Sequence, residues 1–108
     1  MRIATDVIRI FRIMNVGVQP APDANGDIYV DVGPFSLTAV VDDPENATPH
    51  TFLWEQTPVV VPGSSFGSPT QQSTTFGPLV SGTIYHLSIT VTSARLQTKN
   101  LRFRVLVR

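Results

Sequence analysis

The fold class is decided by residues 83–92, which read Thr-Ile-Tyr-His-Leu-Ser-Ile-Thr-Val-Thr. Large apolar side chains alternate in this stretch with polar ones, and the apolar set is Tyr85, Leu87, Ile89 and Val91. Successive side chains of a β-strand point to opposite faces, so this period of two is typical of a strand with one buried face. The stretch predicts a long strand that presents one side to a core.

Similar patterns lie on both sides of this strand. In residues 101–108, Leu101, Phe103, Val105 and Val107 alternate with a second set that includes three arginines, which predicts a half-buried last strand. Shorter stretches with alternating, β-branched or aromatic residues occur upstream, and they are residues 28–32, 35–41, 50–56, 59–61 and 73–76.

The prolines argue against helices in the middle of the chain. Nine prolines lie between positions 20 and 78, and no gap between them holds a helix of about ten residues with its caps. We interpret residues 5–16 as a further strand because isoleucine and valine crowd a helix there. Ile3, Val7, Ile10 and Met14 also have helical spacing, so strand and helix both stay open for this segment.

About seven strands separated by short turns predict an all-β, antiparallel sandwich of immunoglobulin-like type. A chain of 108 residues suits one domain, which we place at residues 1–108. The predicted core takes the apolar side of each main strand, and it consists of Phe35, Leu37, Trp54, Tyr85, Leu87, Ile89, Phe103 and Val105.

Six motifs occur in an order that resembles a known family. They are Phe35-Ser-Leu-Thr-Ala39, Asp42-Asp-Pro44, Phe52-Leu-Trp-Glu-Gln56, Thr74-Thr-Phe-Gly-Pro-Leu79, Gly82-Thr-Ile-Tyr85 and Leu87-Ser-Ile-Thr-Val-Thr92. This order resembles the PKD-type immunoglobulin-like domains of cell-surface and extracellular proteins. The resemblance implies a sandwich in which the tryptophan strand supplies the central core residue, and it is compatible with a binding module.

Charge is distributed unevenly along the chain. Residues 1–12 and 95–108 hold all eight basic side chains and one acid, a net charge of +7, while residues 13–94 hold seven acids and no lysine or arginine. The alternation of the last strand predicts that Arg102, Arg104 and Arg108 share its solvent face. First and last strands of such sandwiches commonly share a sheet, so we expect Arg9 and Arg12 beside them. We interpret this set as a docking surface, which could also include strand addition at a sheet edge.

Other motifs have plain structural explanations. Gly63-Ser-Ser-Phe-Gly67 matches Gly-x-Ser-x-Gly, but it lies between prolines and not at a strand-to-helix turn. The two histidines, His50 and His86, have no triad spacing, and we expect both at the surface. Acids in residues 23–27 and 42–46 suit turns as well as calcium. We therefore predict no catalytic, cofactor or metal site, and cysteine chemistry is excluded because the chain has no cysteine.

Two classes of function fit these features. The first is a non-enzymatic assembly protein that docks on an acidic protein surface of a larger, symmetric, multi-copy particle, such as a phage capsid, neck or tail; its location would be the virion. The alternative is a ligand- or glycan-binding module of a bacterial surface protein, with Tyr29 and Phe66 as exposed aromatics. A homo-oligomer fits either class. We expect neither nucleic-acid binding nor a membrane span, because the net charge is zero and no long apolar stretch exists.

Overall fold

The computed structural model describes residues 14–108. In this range eight strands follow each other along the chain. Their bounds are β1 (Asn15–Gln19), β2 (Asp27–Val30), β3 (Ser36–Asp42), β4 (Thr51–Gln56), β5 (Ser65–Phe66), β6 (Ser73–Gly77), β7 (Ile84–Thr92) and β8 (Thr98–Val107).

The strands form two sheets of four, ordered β1-β3-β6-β5 and β2-β8-β7-β4. Apolar side chains from both sheets meet in one buried cluster, so the predicted all-β sandwich is confirmed. No helix within residues 14–108 is long and apolar enough to cross a membrane.

One pairing departs from the predicted antiparallel order. β2 runs parallel to β8, with Asp27 opposite Arg104 and Val30 opposite Val107. The loop after β1 carries the chain from one sheet to the other, so no hairpin turn forces β2 to pair antiparallel with its neighbour. Local alternation identifies the strand, but it contains no information about this partner.

The first strand also differs from the prediction. β1 begins at Asn15 and pairs with β3, while β8 lies in the opposite sheet, so the expectation that first and last strands share a sheet is wrong for the described part of the first strand. The rest of the predicted strand, with Arg9 and Arg12, lies outside the described residues.

The segment between β4 and β6 reverses two expectations. Residues 59–61 form no strand, and the Val59 and Val60 side chains are exposed between Pro58 and Pro62. Instead, Ser65–Phe66, for which no strand was predicted, pairs with β6 as β5. Phe66 explains this short strand: its ring packs 4.7 Å from Phe76, so it closes the core from the edge.

The core is centred on Trp54 and Tyr85, and all eight predicted core residues are buried. Trp54 lies 6.0 Å from the Phe66 ring and donates its indole N–H to the Gln71 carbonyl at 2.7 Å. Phe76 meets Tyr85 edge to face at 5.1 Å. Because an aromatic chain crosses from one sheet to the other here, the two sheets are fixed face to face and their outer faces are left for solvent or a partner.

Candidate docking surface

The outer face of the β2-β8-β7-β4 sheet carries the charged residues that the sequence analysis singled out. Cross-strand register arranges its side chains in rows that run across the strands. One row joins Tyr29, Leu106 and Ile84, and the next joins Asp27, Arg104 and His86. The geometry of these rows decides which side chains a partner could reach.

The first row is apolar and open to solvent. Tyr29 is 51% exposed and Ile84 45% exposed, and the partly buried Leu106 lies between them. This row was not predicted, because it depends on the parallel pairing of β2 with β8, which places Tyr29 opposite Leu106. An apolar group that crosses three strands on a polar sheet face is typical of an interaction site.

Arg104 forms an ion pair that stabilises the fold. Its guanidinium binds Asp27 with two parallel hydrogen bonds, Nε to Oδ1 at 2.7 Å and Nη2 to Oδ2 at 2.8 Å. The Asp27 side chain is only 4% exposed, and the hydrogen bond to it raises the pKa of Arg104. The structure therefore corrects the prediction that Arg104 is free for docking: this residue holds β2 against β8.

Two more arginines face acids of the middle segment. Arg95 Nη1 lies 3.0 Å from Glu45 Oε1, and Arg108 Nη1 lies 3.9 Å from Asp31 Oδ1. Both arginine side chains are well exposed, so these pairs contribute little to stability. Together with the Arg104 pair, they show that the fold places basic residues of the C-terminal segment next to acids of the middle segment. Part of the charge separation seen along the sequence is therefore neutralised in the structure.

Arg102 is different from the other described arginines. Its side chain is exposed, and no carboxylate within residues 14–108 lies within ion-pair distance of it. Along β8 it stands four residues from Leu106, which is about 13 Å in a strand. We call Tyr29, Ile84, Arg102, Leu106 and Arg108 the docking face.

A shallow groove crosses the outer face between Arg102 and the apolar row. It has a volume of about 210 Å³ and is lined by His86, by residues 102–104 of β8, by the turn residues 25–26 before β2 and by residues 57–58 after β4. His86 is half-buried in it, whereas the sequence analysis expected a surface residue. The groove is a shallow depression in this outer sheet face.

His50 is not a free surface residue either. Its Nε2 lies 2.8 Å from Asp43 Oδ2, and the backbone N–H groups of Glu45 and Ala47 donate to the same carboxylate. The hydrogen bond to His50 and, to a smaller extent, these two N–H groups lower the pKa of Asp43 against the opposing effect of burial. These hydrogen bonds to the Asp43 carboxylate stabilise the turn between β3 and β4.

Turn geometry also accounts for the acids around Asn25. Asp23 Oδ1 accepts hydrogen bonds from the backbone N–H groups of Asn25 at 2.8 Å and Asp27 at 3.0 Å. Within the described part of the chain, no three His, Cys, Asp or Glu side chains come close enough to hold a metal ion. Asx turns therefore explain both acidic loops.

Ser64 lies in the Gly-x-Ser-x-Gly motif and is buried. Its hydroxyl donates to the Pro78 carbonyl at 2.6 Å and lies 3.1 Å from the Tyr85 hydroxyl, which fastens the loop before β5 to the core. Phe66 of the same motif packs against Phe76 and is not available as an exposed aromatic. Of the two aromatics considered for ligand binding, only Tyr29 faces solvent.

Comparison with known proteins supports the fold. No family model and no curated protein matches the chain. The PKD domain of the KIAA 1837 protein, solved in solution, superposes with a TM-score of 0.56 at 17% identity, covering 84% of each chain. A nucleoside hydrolase-related hypothetical protein from Saccharophagus degradans, associated with carbohydrate metabolism, gives a TM-score of 0.72 at 15% identity.

The second match covers 90% of this chain and 26% of the other, so the chain spans about a quarter of that larger protein. Identities this low speak for the architecture alone. The chain has a PKD-like, immunoglobulin-type β-sandwich fold.

Proposed function

We propose that this protein is a non-enzymatic docking module that attaches through the docking face to an acidic protein surface. The observation that carries the proposal is the exposed apolar row of Tyr29, Leu106 and Ile84. On the same sheet face lies Arg102, which has no carboxylate within ion-pair distance in residues 14–108. Tyrosine and arginine are the side chains most enriched at the centre of protein interfaces.

The chemistry of the face defines the partner. An apolar patch needs a matching apolar surface, and Arg102 needs a carboxylate or another acceptor beside it. Exposed ion pairs contribute about 0–1 kcal/mol each, so the ion pair of Arg102 with a partner carboxylate is weak in a single copy. Attachment becomes firm if the copies are joined to one another, as in a homo-oligomer, because linked copies then bind several sites of one assembly at once.

This requirement is the reason for proposing a symmetric particle as the partner. A small module fits the exterior of a virion, such as a phage capsid, neck or tail, where the same acidic site recurs by symmetry. The proposed location of the protein is therefore the virion, and its role is structural.

The proposal is tested by co-sedimentation with purified particles of the phage whose genes surround the coding sequence. We expect Arg102→Gln and Tyr29→Ser each to weaken attachment several-fold, and high salt to weaken the wild type. Arg95→Gln is the matched control, since it removes the same charge from an exposed site outside the docking face. Equal loss in Arg95→Gln and Arg102→Gln, or full attachment of Tyr29→Ser, would contradict the proposal.

A second function rests on Tyr29 alone. An exposed aromatic ring on a sheet face can stack on a sugar, and Tyr29 is 51% exposed. We propose glycan binding by a bacterial surface module as the alternative. Retention on a polysaccharide column that Tyr29→Ser abolishes and Arg102→Gln leaves unchanged would favour it over docking.

A further inference from the structure

Among residues 14–108, no strand pairs with the outer backbone edge of the first half of β8. Arg104 N donates to Gly26 O and Arg108 N to Val30 O, while Val107 N donates to Thr83 O, on the β7 side. Backbone groups of alternate residues point the same way, so the N–H and C=O of Asn100 and Arg102 point away from β7. β2 pairs with β8 only from Arg104 onward, and within residues 14–108 no strand lies beside Asn100 and Arg102.

An apolar groove runs along this edge. It has a volume of about 480 Å³ and lies where β1 of one sheet faces β8 of the other. Val16, Val18 and Leu101 line it, and Arg102 stands at its rim. Asp23 is the one acid in its lining, and its carboxylate is engaged in the turn through the N–H groups of Asn25 and Asp27.

Charge points to the kind of segment that fits here. Arg95, Arg104 and Arg108 each have a carboxylate within 4 Å, and Arg102 has none within the described residues. Lys99, two positions before Leu101, is exposed and also has no carboxylate within this distance in the same part of the chain. The edge is therefore flanked by two cations, Arg102 and Lys99, that have no carboxylate partner in residues 14–108.

We infer that the acidic partner adds an extended segment as a strand to the edge of β8 at residues 98–103. This inference rests on the proposed function and specifies how the partner is held. The added strand exchanges backbone hydrogen bonds with Asn100 and Arg102. Its alternating side chains place carboxylates beside Arg102 on the outer face and apolar groups beside Leu101 in the groove.

A proline substitution at position 102 distinguishes strand addition from a contact made by the side chain alone. Arg102→Pro and Arg102→Ala both lack the guanidinium, but only the proline lacks the N–H that points to the free edge. Proline is tolerated at such an edge position because no ladder hydrogen bond to β7 is lost. We expect Arg102→Pro to bind the particle about tenfold more weakly than Arg102→Ala, because one backbone hydrogen bond is missing.

Particle binding by the wild type separates this inference from the proposed function. If wild type binds and the alanine and proline variants bind equally, strand addition is wrong while docking stands. If wild type does not bind, the proposed function itself fails.

Hydrogen exchange provides a second measurement that needs no variant. Amides of Asn100 and Arg102 in the full chain should exchange at least about tenfold more slowly on the particle than in the free protein. Unchanged exchange would overturn the inference. Protection of these amides already present in the free protein would also overturn the inference. If that protection rises with protein concentration, a second copy occupies the edge. If that protection is independent of concentration, another segment of the same chain occupies the edge.

Discussion

Arg102 and Arg104 lie on the same face of β8, two residues apart, and they have different roles. The difference comes from the neighbouring strand: Asp27 stands opposite Arg104, while no strand within the described residues stands beside Arg102. Alternation in the sequence predicted correctly that both side chains leave the core. Alternation could not predict that the two arginines have different roles, because the strand that pairs with this part of β8 is distant in sequence.

Stability should separate the two arginines. Arg104→Gln leaves the Asp27 carboxylate buried without its bidentate partner, so we expect a clear fall in the urea midpoint of unfolding. Arg102→Gln removes an exposed side chain with no ion pair and should leave the midpoint unchanged. Equal midpoints for the two variants would show that the Asp27 pair does not hold β2.

Asp43 makes stability depend on acid. Its pKa in the folded state is lowered from 3.8, first by the hydrogen bond to His50, so this carboxylate stabilises the fold at pH values above the unfolded pKa. That stabilisation is lost as the pH falls below about 4 and through the folded pKa. Asp43→Asn should flatten the decline of stability with falling pH below about pH 5, measured by urea unfolding at several pH values. An unchanged pH profile would contradict this assignment.

Trp54 tests how much one side chain contributes to the core. It is 2% exposed, packs against Phe66 and donates to Gln71. Trp54→Ala should lower the free energy of unfolding by about 3–5 kcal/mol, enough to unfold a marginally stable domain. Trp54→Phe keeps most of the buried area and should cost clearly less in the same urea titration. A Trp54→Ala protein as stable as wild type would contradict the central role of this residue.

At the scale of elements, the sequence predicted the strands that alternate over many residues. β3, β4, β7 and β8 were all expected, because each combines a period of two with β-branched or aromatic residues. β5 has only two residues and was missed, since its strand character depends on the Phe66 contact with Phe76. A run this short carries no periodicity.

The candidate site was predictable in part for the same reason. Arg102 was found from alternation, whereas the apolar row was not, because Tyr29 and Ile84 become neighbours of Leu106 only through cross-strand register. One local signal existed: Tyr29 stands between Ile28 and Val30, so a large apolar side chain had to face away from the core.

The pairing of β5 with β6 depends on a close approach at Gly67. A Cβ at this position would lie 2.4 Å from Thr75 Oγ1, and Gly67 N donates to Thr75 O at 2.9 Å. Gly67→Ala should therefore lower stability by about 1 kcal/mol. Adding Thr75→Ala, which removes the obstructing oxygen, should restore part of it in a double-mutant cycle. Additive effects of the two substitutions would show that no clash exists.

At the scale of the whole molecule, the two outer faces of the sandwich differ in chemistry. The face of β2-β8-β7-β4 carries Tyr29, Ile84 and Arg102, whereas β3 and β6 on the other side present mainly small hydroxyl side chains and Val40. Folding pairs several basic residues with acids from the middle of the chain, so net attraction to a partner depends on the few cations left over. The outer face of β2-β8-β7-β4 is therefore the proposed contact surface.

Hydroxyl-radical footprinting of free and particle-bound protein tests the docking face most directly. We expect Tyr29, Ile84 and Leu106 to lose most of their oxidation on the particle, while Val60, which is 65% exposed in the loop after β4 and lies outside both the docking face and the groove beside β8, keeps its own. Protection of Val60 with unchanged oxidation of Tyr29 and Ile84 would show that the protein attaches through another surface and would contradict the proposed docking face.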